Sequence, residues 1–358
     1  MSWVLTILGF CALIVLHEFG HFTAAKLTGM RVERFLLFFP PALFKVRRGE
    51  TEYGIGAIPL GGMVKITGMD PRQELPEDVK PRAYYAQPVW KRIVVISAGP
   101  AMNLLIAFLI LWGLFLANGT ATATKTVDAK GLRAPAADVL RPGDRVVSVD
   151  GKDGSQEAIA AAVAKHRCAG TQRNGCQATT PATVTVIRNG HRLTFSMTPR
   201  YDSAVGHTRL GFVYHVQHHD VGVAGAAGES ISGMWRVTKL TVSAIAHIFQ
   251  PEQRKQLSSV VGASKATEQA FNQDLSSALS LLALISLSLA IINLFPFLPL
   301  DGGHIFWALA EKVRGGRPVP FEVMERAGVI GFALVLMLFF IGLSNDISRL
   351  QGAGFPSR

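Results

Sequence analysis

Four stretches of the chain are apolar over a length that can cross a membrane. A helical span of the hydrocarbon core takes about 20 residues, and each stretch comes close to or exceeds that length with few charges. They are residues 3–25, 93–117, 275–300 and 327–345. This pattern predicts a polytopic α-helical membrane protein with about four transmembrane helices. Two helices belong to an N-terminal half, residues 1–117, and two to a C-terminal half, residues 275–358.

The polar connections between these stretches predict further elements. Residues 26–92 contain short alternating apolar runs broken by Gly61 and Gly62, a pattern typical of a β-hairpin, here close to the membrane. Residues 216–274 are predicted to form a linker along the outer membrane surface. Within that linker, residues 229–249 place apolar side chains at helical spacing on a segment that also carries basic residues, as in helices that lie in the membrane interface.

Residues 120–215 have the pattern of a small inserted α+β domain. Residues 140–151 are predicted to form a turn, a short strand and a second turn. Residues 155–166 have helical composition, and two alternating strands then flank Asn189-Gly190, a pair typical of a type I′ hairpin turn. The pattern therefore predicts a largely β domain between the two membrane halves.

Composition and charge agree with this architecture. The mean hydropathy is +0.29, and only 17% of the 358 residues are charged, as expected for a membrane protein with room for one soluble domain. The formal net charge is +11. The basic residues stand beside the apolar stretches instead of forming one patch, so we expect an anionic bilayer and no nucleic acid as partner.

The same basic residues predict the topology. They cluster within residues 26–48 and at residues 91–92, so the loop of residues 26–92 is expected in the cytoplasm. Residues 118–274 and both termini are then extracytoplasmic. The first apolar stretch lacks a basic leader and a small-residue cleavage site, so we expect a retained helix and not a signal peptide.

The external region contains two cysteines and several histidines. Cys168 and Cys176 flank a polar loop in a compartment where a disulfide can persist. We expect them to be bonded, with two free thiols as the alternative. Four histidines follow no regular ligand spacing and are expected to be surface or loop residues in preference to a second metal site. They are His207, His215, His218 and His219.

The first apolar stretch contains the motif His17-Glu18-Phe19-Gly20-His21. Two imidazoles at i and i+4 lie on one face of a helix and can bind one zinc ion, while the glutamate can act as a general base. Ionisable side chains inside a membrane helix are unfavourable unless they are paired, bound to metal or facing water. Metal binding is therefore preferred to the alternative, a polar patch at a helix end without metal.

A third metal ligand is expected near the end of the third apolar stretch. In the predicted topology the first and third stretches run in the same direction, so Asp301 reaches the depth of His17 and His21. A carboxylate oxygen and two imidazole nitrogens form a zinc site with three protein ligands and an open fourth position. Asn293, earlier in the same stretch, is a candidate for binding a substrate main chain. A helix-ending turn at Asp301 is the alternative interpretation.

The second apolar stretch contains Gly99-Pro100-Ala101-Met102-Asn103. Small residues and a proline in a membrane helix permit close packing with its neighbours, and Asn103 can hydrogen-bond to the first helix. We expect a packing role for this segment, with support of the metal site as the second interpretation.

These motifs together resemble the site-2 protease family of intramembrane zinc metalloproteases (peptidase family M50), and within it the bacterial RseP type with a single extracytoplasmic PDZ domain. The resemblance covers nearly the whole chain. It is carried by the metal motifs, the Gly-Gly hairpin, the Gly-Pro-x-x-Asn segment and the external Pro142-Gly143-Asp144 segment. One departure is the second proline, Pro299, because the family often has a proline at the position of Leu298.

The resemblance implies an enzyme of the bacterial inner membrane that cuts single-span proteins within the bilayer, usually after an extracytoplasmic protease has shortened them. Anti-sigma factors of stress responses and leftover signal peptides are the typical substrates. The implied roles are one zinc ion bound by His17, His21 and Asp301, water activation by Glu18, substrate binding by Asn293, Gly61 and Gly62, and a PDZ carboxylate-binding loop at Leu210, Gly211 and Phe212.

Two other functions fit parts of the pattern. A non-catalytic membrane anchor whose PDZ-like domain binds chain termini would explain the architecture, but it gives no reason for the carboxylate of Glu18 in a membrane helix. A metal or ion transporter would use the same ligand types, but four spans without an inverted repeat disfavour it. An intramembrane zinc protease is therefore the expected function.

Overall fold

The computed structural model of the chain describes residues 2–70, 72–153, 156–203, 206–248, 250, 259–317 and 319–351. In chain order, its helices are α1 (Ser2–Leu27), α2 (Val89–Asn118), α3 (Gln156–Val163), α4 (Val223–Ala246), α5 (Val260–Gln273), α6 (Leu275–Asn293), α7 (Asp301–Val313) and α8 (Phe321–Gln351). Within the described residues, α1, α2, α6 and α8 are long and apolar enough to cross a membrane, and each overlaps one of the four predicted stretches.

The chain divides into two compact units. The first, called here the membrane unit, consists of Met1–Ala117 and Val223–Ser348 and contains all four apolar helices. The second, called here the inserted unit, contains Asn118–Gly222. The order of these units along the chain matches the predicted insertion of an α+β domain between two helical halves.

The third apolar stretch does not form one helix as predicted for residues 275–300. Helix α6 ends at Asn293, residues 294–300 form a turn, and Asp301 is the first residue of α7. Pro296 and Pro299 explain the break, because proline lacks the amide hydrogen that a helix requires and its ring clashes with the preceding turn. Asp301 therefore starts a separate short helix whose direction is independent of α6.

The loop of residues 26–92 contains a β-hairpin, but its turn differs from the predicted one. Strands β1 (Val32–Arg48) and β2 (Thr51–Ile66) are joined at Gly49 and Glu50, where Gly49 has φ +61°. Gly61 and Gly62 lie inside β2 and do not form a turn. The strands are long, 17 and 16 residues, because each bends and pairs in two segments.

The register of the hairpin leaves residues 62–66 at one edge of the sheet and residues 42–48 at the other. Residues 42–48 pair with residues 51–56, and residues 32–37 pair with residues 62–66. Residues 34–37 also lie beside residues 52–55. Residues 62–66 thus have β1 on one side and no other described strand on the opposite side.

Helix α4 begins earlier than the helix predicted for residues 229–249, and Phe249 lies outside the described residues. The Trp112 indole of α2 donates a hydrogen bond to the Val223 carbonyl (3.1 Å), and farther along α4 two apolar side chains, Met234 and Val237, pack against the middle of α2 and the second half of α6. The helix therefore runs along two candidate spans. Its location at the outer membrane surface stays a prediction.

Helix α5 was not predicted from the sequence. Ser259 precedes it, and its hydroxyl accepts the Val261 amide hydrogen. The carboxylate of Asp346, on α8, accepts hydrogen bonds from the Ser259 amide, the Ser259 hydroxyl and the Gly262 amide at 2.7, 2.7 and 2.9 Å. A buried carboxylate from another helix thus satisfies amides that the helix itself leaves unpaired at its N-terminus.

The inserted unit is an α+β domain, as predicted. Its strands are β3 (Thr120–Val127), β4 (Arg145–Val149), β5 (Ala182–Arg188), β6 (His191–Met197), β7 (Arg200–Asp202), β8 (His207–Arg209) and β9 (Tyr214–His219). Five of them form a sheet in the order β6-β5-β4-β3-β9, while β7 pairs with β8. Asn189 and Gly190 both have positive φ, +50° and +79°, which confirms the type I′ turn.

The disulfide expected between the two cysteines of the inserted unit is present. Cys168 and Cys176 form a disulfide with 6.1 Å between their Cα atoms, so the alternative of two free thiols is excluded. The four histidines lie on β8 and β9 and belong to no cluster of metal-ligand side chains within the described residues.

Asp144 of the Pro-Gly-Asp segment is a buried ionic anchor of the inserted unit. Its carboxylate accepts hydrogen bonds from the Arg188 guanidinium at 2.8 and 2.7 Å and from the Arg141 amide at 2.8 Å. Burial alone raises the pKa of this carboxyl, but the hydrogen bonds and the positive charge of Arg188 outweigh burial and hold the pKa below its usual value.

The variant Asp144→Asn is expected to destabilise the protein at neutral pH by roughly 1–3 kcal/mol, since it removes hydrogen bonds to a charged acceptor. A carboxyl whose pKa is lower in the folded state stabilises above its unfolded pKa, near 4, and this stabilisation is lost as the pH falls through the folded pKa. The difference in melting temperature between native protein and variant should therefore shrink on acidification. Thermal unfolding followed by circular dichroism tests this, with the exposed Asp153→Asn as control; a difference that does not change with pH would contradict it.

Candidate active site

Helix α1 presents two histidine rings to one point. His17 and His21 are one turn apart, and both are buried, with 8% and 7% of their surfaces exposed. Their Nε2 atoms are 3.3 Å apart, and their rings meet edge to face. The i, i+4 spacing of the motif therefore has the geometry that the sequence predicted.

Asp301, the first residue of α7, completes a group of three ligand atoms. Its Oδ2 atom lies 3.3 Å from His17 Nε2 and 3.3 Å from His21 Nε2. The three atoms thus form a triangle with nearly equal sides. Ligands on a tetrahedral zinc ion, bound at about 2.0–2.1 Å, are separated by roughly 3.3–3.4 Å. The spacing of the three atoms therefore fits zinc.

The hydrogen bonding of Asp301 and His21 also fits a metal ion. Asp301 Oδ2 is buried and accepts no hydrogen bond from the residues that the structure describes. His21 Nδ1 lies 2.9 Å from the Val95 carbonyl oxygen and donates its hydrogen to it, so in the neutral ring the lone pair is on Nε2, which lies 3.3 Å from Asp301 Oδ2. Such a hydrogen bond from the distant nitrogen is the usual support of a metal-binding histidine.

Helix α2 approaches α1 so closely that two glycines are required. A Cβ atom on Gly20 would lie 2.4 Å from the Ala98 carbonyl oxygen, and a Cβ atom on Gly99 would lie 2.1 Å from His21 Nε2. Both separations are far below van der Waals contact. Gly99 belongs to the segment for which packing was expected and support of the metal site was the second interpretation, and its lack of a side chain makes room for the His21 ring.

The two glycines that follow Asp301 also allow a close backbone contact, and this contact positions Asp301. A Cβ atom on Gly302 would lie 2.2 Å from the Leu294 carbonyl oxygen, and one on Gly303 would lie 2.5 Å from the Leu298 amide nitrogen. The first turn of α7 is thus packed directly on the backbone of the turn formed by residues 294–300. The two glycines of the Asp-Gly-Gly sequence thus set the position of the Asp301 carboxylate.

Glu18 lies under the edge segment of β2. A Cβ atom on Gly62 would lie 2.3 Å from Glu18 Cγ, so the absence of a side chain at residue 62 leaves space for this glutamate. Gly61 has φ +155° and faces the Phe39 ring. The structure therefore brings Gly62, but not Gly61, to the proposed base, and the role of both glycines in substrate binding stays a prediction.

The remaining predicted site residues are farther from this group. Asn293 is the last residue of α6 and is half-buried; no described contact joins it to the three ligands, and its substrate role stays a prediction. Leu210 is buried in the core of the inserted unit, and Phe212 packs against that core. The Gly211 carbonyl accepts a hydrogen bond from the Arg133 amide (2.7 Å). The role of this loop in binding carboxylates also stays a prediction.

One contact near the site was missed in the sequence. The guanidinium of Arg92, at the start of α2, donates a 2.5 Å hydrogen bond to Glu311 near the end of α7, and both side chains are mostly buried. In the sequence, Arg92 served only as evidence for the topology. Its ion pair with Glu311, 219 positions away, could not be recognised from the residues around either partner. The ion pair ties the helix that carries Asp301 to the helix that contacts both histidines.

Comparison with known proteins agrees with this geometry. The zinc metalloprotease Rip1 of Mycobacterium tuberculosis is 34% identical over 84% of this chain and 83% of its own, and Rip1 of Mycobacterium bovis has the same values. A relative from Nostoc sp. is 31% identical over 94% of this chain and 93% of its own. The family model described as Peptidase family M50 matches residues 5–338. The chain is thus a zinc metalloprotease and belongs to peptidase family M50.

Proposed function

We propose that this zinc metalloprotease hydrolyses peptide bonds within the transmembrane segments of single-span membrane proteins. The observation that carries the proposal is the 3.3 Å triangle of His17 Nε2, His21 Nε2 and Asp301 Oδ2, two of whose ligands lie in an apolar helix of membrane-spanning length. A hydrolytic site on such a helix meets its substrates within the bilayer. These three residues are the proposed ligands of one zinc ion per chain.

Glu18 is the proposed general base. It follows His17 directly in α1, and the hairpin backbone at Gly62 packs against its side chain. A bound zinc ion supplies Lewis acidity that polarises the scissile carbonyl. The Glu18 carboxylate accepts a proton from the attacking water and then donates it to the departing amine. Both transfers require this carboxylate to stay next to the ligands, where the hairpin holds it.

Substrate is proposed to bind as a strand along residues 62–66 of β2. This segment is an edge among the described strands, and it passes over Glu18. A transmembrane substrate has its amides in its own helix, so it must unwind before hydrolysis, and strand addition would pair the main-chain groups that unwinding exposes. Gly61, Gly62 and Asn293 are the proposed substrate contacts.

The inserted unit is proposed to be a PDZ-like domain on the extracytoplasmic face of the bacterial inner membrane. Its five-stranded sheet with one short helix supports this proposal, as does the Leu210-Gly211-Phe212 loop in front of the edge strand β9. PDZ domains bind extended chain ends by strand addition. An extracytoplasmic protease creates such ends, so pre-cut proteins such as anti-sigma factors or leftover signal peptides are the proposed substrates.

The test combines zinc content with cleavage by the full-length protein in detergent or vesicles. The native protein is expected to contain about one zinc per chain and to cut a single-span substrate inside its apolar segment, as located by mass spectrometry of the products. The variant Asp301→Ala is expected to lose both zinc and cleavage. Asp220→Ala, an exposed aspartate of the inserted unit, is the matched control and should retain both.

Three outcomes would contradict parts of this proposal. If the native protein is folded but contains no zinc after purification without chelators, the zinc site is contradicted. A non-catalytic membrane anchor that binds chain ends would then be the favoured function. Zinc retained in full by Asp301→Ala would remove this residue from the ligand set. Equal cleavage of a substrate with helix-breaking residues and one with a poly-leucine span would argue against the unwinding step.

A further inference from the structure

We propose that Asn103 of α2 is a positioning residue that holds the His17 ring in the tautomer whose Nε2 lone pair faces the metal site. The proposal rests on the zinc ligands proposed above. It adds that one helix, α2, supplies the groups that hydrogen-bond to both histidine rings. Nothing in the motif around Asn103 required this role, because its spacing equally fits simple helix packing.

The contact between Asn103 and His17 is buried and direct. The side chain of Asn103 is completely buried, and its terminal amide lies against the His17 ring with 3.0 Å between Asn103 Nδ2 and His17 Nδ1. In that arrangement the other end of the amide, Oδ1, is buried and has no hydrogen-bond donor among the described residues. This arrangement therefore leaves a buried acceptor unpaired, which is unfavourable.

The two orientations of the amide have opposite consequences for the metal. Nitrogen and oxygen of an asparagine amide are nearly equal in shape, so their assignment follows from the hydrogen bonds that each can make. With the nitrogen toward the ring, His17 Nδ1 must accept, and the ring hydrogen is then on Nε2, between the ring and Asp301. With the oxygen toward the ring, His17 Nδ1 donates and Nε2 carries a lone pair. Only the second orientation is compatible with a metal at the triangle.

The second histidine has the same arrangement, which supports this orientation. The Val95 carbonyl oxygen accepts the Nδ1 hydrogen of His21 at 2.9 Å. Val95 and Asn103 are two turns apart on α2, as expected for groups on one helix face that meet His21 and His17 of α1. An oxygen from α2 would thus accept from Nδ1 of each ring, and both Nε2 lone pairs would point to the same place.

Asn103 is itself held in position by a third helix. The Ser286 hydroxyl of α6 donates a 2.9 Å hydrogen bond to the Asn103 backbone carbonyl, and Ser286 is fully buried. Four residues before Asn103, Gly99 allows the His21 ring to lie against α2. The backbone of Asn103 is therefore fixed relative to α1 and α6, so its amide can orient a ring instead of following it.

The experiment measures the rate at which full-length protein in detergent releases zinc to a chromogenic chelator. Asn103→Leu keeps a similar volume but removes the acceptor, and we expect zinc to be released about 10–100 times faster, the usual effect of losing such a partner. Asn103→Asp keeps an oxygen that can only accept from Nδ1, and we expect release close to the native rate. Leu109→Ala, a half-exposed position on the same helix, is the control.

The two variants separate orientation of the ring from packing. Release at the native rate by Asn103→Leu would overturn the proposal, and so would release by Asn103→Asp as fast as by Asn103→Leu, because the ring would then need a donor and not an acceptor. If Asn103→Leu does not fold, the zinc release rate of Asn103→Asp tests the proposal alone. A rate close to the native one supports the proposal, and a much faster rate overturns it. A native protein without zinc would refute the metal site, whereas native zinc and cleavage with an unaffected Asn103→Leu would refute only the role of Asn103.

Discussion

Replacement of Glu18 by glutamine is expected to slow peptide-bond hydrolysis by about 10²- to 10⁴-fold, the range found for loss of a positioned acid–base group, while zinc stays bound. Glutamine has the same shape and still fits beneath Gly62, where a Cβ atom would be only 2.3 Å from Glu18 Cγ. It cannot accept the proton of the attacking water. The proposed ligands His17, His21 and Asp301 are unchanged, so the metal content should equal that of the native protein.

The measurement for Glu18→Gln is cleavage of a single-span substrate together with zinc per chain. Glu229→Gln, an exposed glutamate on α4, is the matched control and should have native activity. Cleavage by Glu18→Gln within a few-fold of native would remove Glu18 from the reaction. Loss of zinc in this variant would instead show that Glu18 supports the metal, and the base would have to be another group.

Replacement of Gly99 by alanine is expected to abolish zinc binding, and with it cleavage, by the addition of one methyl group. The new Cβ atom would lie 2.1 Å from His21 Nε2, the atom proposed to bind the metal. The backbones cannot separate easily, since Gly20 of α1 already meets the Ala98 carbonyl at the same crossing. The His21 ring must therefore turn away, and the site retains two of its three ligands.

Gly113→Ala is a matched control for this prediction. Gly113 lies on the same helix, and a Cβ atom there would meet no described atom within 4 Å. This variant should keep its zinc and be as stable as the native protein or slightly more so, because alanine favours a helix relative to glycine. Zinc per chain and melting temperature are measured for both variants. Full zinc content in Gly99→Ala would show that the crossing of α1 and α2 can relax, contrary to the expectation.

The Gly99 prediction and the proposal for Asn103 both concern the way in which α2 supports a site to which it gives no proposed ligand. Its residues accept the His21 hydrogen at Val95, leave room for the His21 ring at Gly99 and contact the His17 ring at Asn103. At its start, Arg92 pairs with Glu311 of the helix that carries Asp301. Variants of α2 should therefore change metal affinity first and stability second, the reverse of the order expected for simple packing residues.

Properties that depend on neighbouring residues could be predicted from the sequence alone. The two rings of His17 and His21 share a helix face because residues four apart lie one turn apart. The four apolar spans follow from length and composition, and the type I′ turn at Asn189-Gly190 follows from the ability of these two residues to adopt positive φ. Each signal lies within one element. The structure has the paired rings and the turn as predicted, and it has four long apolar helices, of which the third ends earlier than predicted, at Asn293.

Contacts between distant elements were decided by the tertiary structure. The sequence suggested that Asp301 joins the histidines, but the path differs, because prolines end α6 at Asn293 and Asp301 begins a new helix. The turn of the hairpin, the position of Gly62 over Glu18 and the existence of α5 had no local signal that identified them. A glycine that makes space, or an amide that orients a ring, is recognised only by what it touches. His21 and Val95 are 74 residues apart, and His17 and Asn103 are 86 apart. The Gly-Pro-x-x-Asn segment indicated a hydrogen bond from Asn103 to the first helix, but no periodicity of the chain could identify the partner atom.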